Sequence, residues 1–220
     1  MSQRIIIPAV PNLPLGPEQY SRRFIDQNSN VLRLYFNQLK NALAALFGTR
    51  GGAYLDYPYA SVQRTTDKTF TANTATEITF DQNDFLNGCA NDGTNGILVS
   101  ESGLYNYQFS VQYSNTDSQT HTAWVWLRVN NTDVAGTGSQ FTIPSKHGST
   151  NGHLIAAANF YVELEAGDFV QMFAAVDVPY VPAVSQGVRM EAYSAITTPF
   201  AMPAIPAVVA TLTFVSSVLP

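Results

Sequence analysis

Few side chains in this 220-residue sequence are types that do chemistry, and their spacing suits few reactions. The three histidines, His121, His147 and His153, do not fall at the short spacing of paired zinc ligands. His147 and His153 flank a Gly/Ser-rich loop, Gly148–Gly152, and read as solvated loop residues. Cys89 is the single cysteine, so no intrachain disulfide framework or thiolate cluster can form. It sits between Gly88 and Ala90 in a predicted loop with no histidine near it in sequence, which favours a passive thiol over a nucleophile. Asp81, Asn83, Asp84, Asn87, Asn91 and Asp92 crowd one segment with oxygen ligands of the kind calcium takes. Their spacing matches no calcium-binding helix–loop–helix, and whether a calcium ion is held there stays open. Glu163 and Glu165 share one strand face, whereas glycoside hydrolysis needs two carboxyls across a sugar cleft. A serine nucleophile elbow, a phosphate loop and a dinucleotide glycine fingerprint are all missing from the sequence. The expectation is a non-enzymatic protein with no catalytic residue, cofactor or metal assigned.

Composition narrows the class further. Only 12% of residues are charged, about half of the roughly 25% of an average soluble domain. The net charge is −5, which excludes nucleic-acid binding through bulk positive charge. The hydrophobic share of 45% supplies a sizeable core and excludes disorder along the whole chain. Charge is divided unevenly: residues 1–50 carry six bases and two acids, residues 51–220 five bases and fourteen acids. A basic front end and an acidic body point to different partners for each. No apolar run reaches the length of a membrane span, and Ile5-Ile6-Ile7-Pro8 is too short for a signal-peptide core. The expectation is a soluble chain made in the cytoplasm, with neither membrane nor nucleic acid as partner.

Three segments must position whatever the chain does. Residues 1–17 contain Pro8, Pro11, Pro14 and Pro17, a spacing that forbids a helix and favours an extended arm. The arm's Ile5 and Ile7 predict docking on a partner. Residues 18–48 read as one helix, with Pro17 suited to its start and Gly48 to its C-cap. Ile25, Leu32, Phe36, Leu39, Leu43 and Leu46 recur at spacings of mostly four and three, with Ser29 interrupting. A helix this long, ~45 Å, is better suited to a multi-stranded bundle than to capping its own domain. Ile5, Ile7, Leu32, Phe36, Leu39, Leu43 and Leu46 are the expected anchoring and oligomerisation residues.

From Ala53 onward the period becomes two. Tyr105, Tyr107, Phe109, Val111 and Tyr113 fall on one face of a strand, and Trp124 and Trp126 share a face of another. Further strands are expected at 76–80, 97–100, 153–165, 168–176, 188–195 and 207–215. Many short strands with Gly- and Asn-rich turns predict an antiparallel sandwich or barrel over 54–220. Three long loops, Asp81–Gly96, Gly136–Gly152 and Asp177–Gly187, are suited to recognition. Tyr180, framed by Pro179 and Pro182, is the expected outward contact together with Asn91 and Asp92.

The run Ile97–Phe109, with Gly103 followed by Tyr105, Tyr107 and Phe109, resembles the signature of the globular head of complement component 1q and its tumour-necrosis-factor-like relatives. Ile97 stands where that pattern has its first aromatic. Trp126–Asn130 resembles the family's central strand and turn, Leu164–Val170 its leucine–glycine–aspartate turn, and Val208–Phe214 its closing strand. The resemblance implies an all-β, antiparallel ten-stranded jelly-roll sandwich that forms homotrimers through a flat, aromatic-rich face. Some proteins with this head bind calcium. In this chain the jelly roll would be preceded by the extended arm and the one long α-helix. Gln3–Leu15, Glu18–Tyr20 and Asn30–Leu39 are similar to the leader of structural proteins from marine tailed phages. That likeness implies a virion structural protein assembled in the host cytoplasm, either a trimeric head decoration or a tail fibre or knob. Residues 1–48 would bind other virion proteins, and the head would face a host surface receptor or glycan. Two other classes compete: a trimeric polysaccharide-degrading spike enzyme, and a secreted cytokine-like ligand. The short chain and the lack of a convergent acidic cluster weigh against the first. The missing signal sequence weighs against the second.

Overall fold

The computed structural model describes residues 8–13, 15–16, 18–47, 57–94 and 96–217. The chain forms two compact units, Met1–Asp56 and Tyr57–Pro220. In the first, residues 8–13 and 15–16 have no regular secondary structure, and Val10 and Leu15 are almost fully exposed. Ile5, Ile7, Pro17 and Gly48 lie outside the described residues. The helix, α1 (Arg22–Phe47), begins later than residue 18. Ser21 explains the shift. Its Oγ accepts from the Phe24 N–H at 3.4 Å, and its carbonyl from the Ile25 N–H at 3.1 Å, so serine caps the first turn.

The second unit is built from thirteen strands among the described residues, joined in eleven antiparallel pairings. The first sheet runs β10 (Gly152–Leu164), β6 (Gly103–Asn115), β13 (Val208–Ser216), β1 (Tyr59–Arg64), β3 (Gln82–Asn87). Short β12 (Val188–Met190) pairs with the far end of β6, in the column that β13 occupies. The second sheet runs β4 (Cys89–Asn91), β5 (Ile97–Val99), β11 (Phe169–Val176), β7 (His121–Val129), β8 (Thr132–Asp133). In it β2 (Thr76–Ile78) shares the column of β5, and β9 (Ser139–Ile143) that of β8. Thirteen strands thus fill ten positions, five in each sheet of an antiparallel jelly-roll sandwich.

The alternation along β6 produces the core. Tyr105, Tyr107, Phe109, Val111 and Tyr113 are buried from the first sheet. Facing them are smaller residues of the second sheet, Ala123, Val125 and Leu127 from β7 and Val170, Met172, Ala174 and Val176 from β11. Large rings from one side and short aliphatics from the other fill the ~10 Å between packed sheets. The β7–β8 hairpin turns on Asn130 and Asn131, at φ 50° and 66°, the left-handed pair that a tight two-residue hairpin requires. Two expected loops contain strands: β3 and β4 lie within Asp81–Gly96, and β9 within Gly136–Gly152. All three border a sheet. β3 buries little and is written in Gln, Asn and Asp; β4 is only three residues long; and β9 alternates, with Ile143 buried and Phe141 against the core, over too few residues to stand out in sequence.

Candidate functional site

In α1 the expected seam forms one stripe. Leu32 and Leu39 are half-buried, while Phe36 and Leu43 are exposed beside Ile25. Phe36, Leu39, Lys40, Leu43 and Ala44 line a shallow apolar hollow along the helix. Leu46 lies within the helix, its side chain outside the described residues.

The three expected recognition residues are not brought together. Asn91 ends β4 and Asp92 follows it, level across β5 with the start of β11, whereas Tyr180 lies beyond the end of β11. The eight residues of β11 separate them by ~26 Å. Asn91 Nδ2 donates to Asn83 Oδ1 at 2.6 Å and to the Phe80 carbonyl at 3.3 Å, and its Oδ1 accepts from the Gly93 N–H at 3.1 Å. Asp92 Oδ1 accepts from both the N–H and the Oγ1 of Thr94 at 2.8 Å. These two residues stitch their own loop. Tyr180 is half-buried, with the Arg189 guanidinium 4.4 Å from its ring centroid.

The chemically capable groups are likewise committed. Burial pushes the Cys89 thiol up to about 11, which leaves little thiolate at neutral pH. Asp81 accepts from Thr65 N–H at 2.7 Å and from the Thr65 and Thr66 hydroxyls at 2.9 Å. Burial raises its pKa, but these bonds and the Arg64 charge outweigh that and hold it below the usual value. Asp84 is shared by Ser61, Gln63 and Gln82. The acids of this segment therefore turn to separate donors and do not converge on one centre.

One cluster escaped the sequence reading. His121 is buried, with Nε2 3.2 Å from Asp117 Oδ2 and Nδ1 3.4 Å from Asp177 Oδ1. The hydrogen bond from His121 holds Asp117 below the usual carboxylate range. Both ring nitrogens are engaged by carboxylates and no nucleophile joins them, so the triplet ties the β6–β7 loop to the end of β11. Asp177 brings the two carboxylates to one ring only through the fold, 55 residues from Thr122 in sequence, whose N–H it also accepts.

Two broad surfaces remain. On the outer face of the first sheet, register aligns Tyr161, Asn106, Thr213, Tyr59 and Asn87 across all five columns. The next row is Asn159, Gln108, Thr211, Ser61 and Phe85, and the next Ala157, Ser110, Val209, Gln63 and Gln82. None of these fifteen positions is Asp, Glu, Lys or Arg, but Asp84, at the β1–β3 bulge, places its carboxylate against Ser61, Gln63 and Gln82 of this face, and Glu163 continues the outer row of β10. Phe85 and Tyr161 are exposed by 67% and 63%, and Ile155 farther along β10 by 63%. At one border of this face Arg189 is bound by Glu191 and Asp67, and the Tyr193 hydroxyl donates to Glu191 Oε2 at 2.6 Å.

The outer face of the second sheet is different. Trp124 and Trp126 of β7 point outward, opposite to buried Ala123, Val125 and Leu127. Trp124 lies in one row between Gln140 of β9 and Ala175 of β11. The methyl group of Ala175 leaves a hollow beside the indole, and an open groove of about 620 Å³ runs there, walled also by Asn73, Ala75, Gly138 and Ser139. Trp126 is fixed: its Nε1 donates to Asp133 Oδ1 at 2.7 Å, and its ring lies 6.0 Å from that of Phe173. Arg128 Nε donates to the same Asp133 oxygen at 2.6 Å, and its guanidinium sits 4.0 Å from the Phe173 centroid. The bonds from Arg128 and Trp126 hold the Asp133 carboxyl below its usual range. By contrast, Trp124 Nε1 and the side-chain amides of Asn73 and Gln140 make no hydrogen bond among the described residues.

Fold and surfaces together define a jelly-roll protein whose distinctive features are two broad outer faces. Among solved structures the chain is similar to Eiger TNF from S. frugiperda, with a TM-score of 0.47 and 9% identity, over 75% of this chain and 96% of that one. It is also similar to murine APRIL, with a TM-score of 0.44 and 10% identity, over 72% of this chain and 99% of that one. No protein-family model and no curated protein matches the sequence. The jelly roll is defined here by strand order and register.

Proposed function

We propose that the protein is a non-enzymatic virion structural protein of the tailed-phage kind. It is a homotrimeric head decoration or tail fibre or knob, anchored by residues 1–48 and presenting its jelly roll to a host surface. The observation that carries this reading is the sparsely charged outer face of the first sheet, where the Asp84 carboxylate is bound by Ser61, Gln63 and Gln82 and Glu163 lies toward the end of β10. A sheet face that stays in water is normally studded with Lys and Glu, which also block edge-to-edge and face-to-face association. A face five strands wide with amides, hydroxyls and exposed Tyr59, Phe85 and Tyr161 suits burial against copies of itself. The apolar stripe of α1 supports the same symmetry, because three parallel helices would cover it. The basic residues 1–50 suit an acidic partner surface on the particle. A secreted cytokine-like ligand would share the fold and the trimer, and differs in having no particle to bind.

Light scattering on the purified chain should give three times the 24.0 kDa of one copy. A monomer at micromolar concentration removes the carrying argument. A particle reconstruction then locates residues 1–48: density against the capsid lattice means decoration, density on the tail means a fibre or knob. No incorporation at all defeats the virion reading while leaving the trimer intact.

A further inference from the structure

We infer that the Trp124 groove on the outer face of the second sheet is a binding site for an uncharged carbohydrate chain. The groove offers an indole platform, Trp124, whose face is electron-rich and attracts the weakly positive C–H groups of a pyranose ring. Beside it stand two side-chain amides, Asn73 and Gln140, with no partner among the described residues. An amide both donates and accepts, which matches a sugar hydroxyl, and the Trp124 Nε1 adds a further donor. None of the residues lining the groove is ionisable. Of the charges on the neighbouring rows, Glu77 lies beyond Phe173 in the row of Trp126 and accepts from Gln171 Nε2 at 2.8 Å, and Arg128 and Asp133 neutralise each other at 2.6 Å. An anionic glycan would find no free cation there, so the chemistry selects a neutral one.

The platform is rigid before the ligand arrives. β7 is hydrogen-bonded to β11 on one side and β9 on the other, and Trp126 is pinned to Asp133, so little freedom is lost on binding. The same pairing argues against a peptide as occupant. The main-chain groups of β7 are already used within the sheet, so an added segment would have only side chains to recognise it. The assignment stands whether or not the chain is carried on a virion.

Both tryptophans of the chain line this groove, so tryptophan emission, excited selectively over the eleven tyrosines, reports on it. The full chain is titrated with cellohexaose, maltohexaose and N-acetylchitohexaose. Hexagalacturonate serves as the anionic contrast, and a peptide of residues 1–17 as a proline-rich contrast. The expected result is a saturable emission change with at least one neutral hexasaccharide, with Kd of ~0.01–1 mM. Calorimetry should then show Trp124→Ala weakening it by roughly tenfold or more. Ala175→Leu, which fills the hollow with the indole left in place, should abolish binding while thermal melts stay cooperative. Three results overturn the proposal: no response to any neutral hexasaccharide at about 10 mM, a response only to hexagalacturonate or the peptide, or unchanged affinity in a folded Trp124→Ala and Ala175→Leu pair.

Discussion

Three tyrosines of one strand predict opposite outcomes for the same substitution. Tyr105, Tyr107 and Tyr113 all point from β6 into the sandwich and are essentially inaccessible. The Tyr105 hydroxyl donates to the Glu101 carbonyl at 2.7 Å. The Tyr107 and Tyr113 hydroxyls meet no partner among the described residues, and burial pushes both phenols far above their ordinary pKa, so both remain neutral. A buried hydroxyl without a partner costs about 1–3 kcal/mol, and replacing it by hydrogen removes that cost with the ring still packed. Tyr107→Phe should therefore stabilise by ~1–2 kcal/mol, whereas Tyr105→Phe should lose ~1 kcal/mol with its hydrogen bond. In a unit the size of Tyr57–Pro220, each kcal/mol moves Tm by roughly 2–4 °C. The two variants should thus melt about 4–12 °C apart, in opposite directions from the parent, in calorimetric scans at pH 7. Equal losses in both would refute the reading that the Tyr107 hydroxyl is unpaired.

The other predictions use the surfaces and the carboxylates. Thr211→Lys puts a long cationic side chain at the centre of this outer face of the first sheet, where it would have to be desolvated on assembly, a cost of about 2–5 kcal/mol. Light scattering should fall toward 24.0 kDa with melting still cooperative, and a persistent trimer would remove that face from the assembly. Asp81, Asp117 and Glu191 all have depressed pKa values, so their stabilisation is complete above the unfolded values and lost as pH falls through the folded ones. Tm should stay level between neutrality and about pH 5 and fall below about pH 4. Asp81→Asn should lower it at pH 7 and shallow the acid fall. Tyr180→Ala removes the ring under Arg189, an effect of ~1 kcal/mol on melting; unchanged adsorption in that variant would take Tyr180 out of host recognition.

What the sequence made legible follows from how many faces an element buries. β6 buries one face completely, and its aromatic alternation reads straight off Tyr105 to Tyr113. β10 and β11 lie near their expected bounds for the same reason. β3 is polar and β4 and β9 are short borders of the second sheet, three and five residues, so they look like loop, and Cys89, expected in a loop, is a strand residue. β1 pairs between β13 and β3 yet buries only Ala60 and Val62, too short a signal to separate from its polar neighbours. The late start of α1 was available from Ser21, because a serine ahead of a helical run is a better cap signal than a proline further upstream. The His121 triplet was not available, since Asp177 is brought to it by the pairing of β7 with β11 and by no local spacing.

The tryptophans were visible in the sequence, but which way they face was not. Alternation places Trp124 and Trp126 together, and size would assign them to the core. The direction is decided by the opposite sheet. Tyr105, Tyr107, Phe109 and Tyr113 already occupy much of the ~10 Å between the layers. The strand facing them brings inward residues without rings, Ala123, Val125 and Leu127 of β7. Its large rings are left on the outside by exclusion. Once outside, two indoles in a row are a standing liability for association unless covered or used. Trp126 is covered by Phe173, Arg128 and Asp133. Trp124 has only Ala175 and Gln140 beside it in its row, and the space that the alanine leaves open is what turns an excluded core residue into a binding platform.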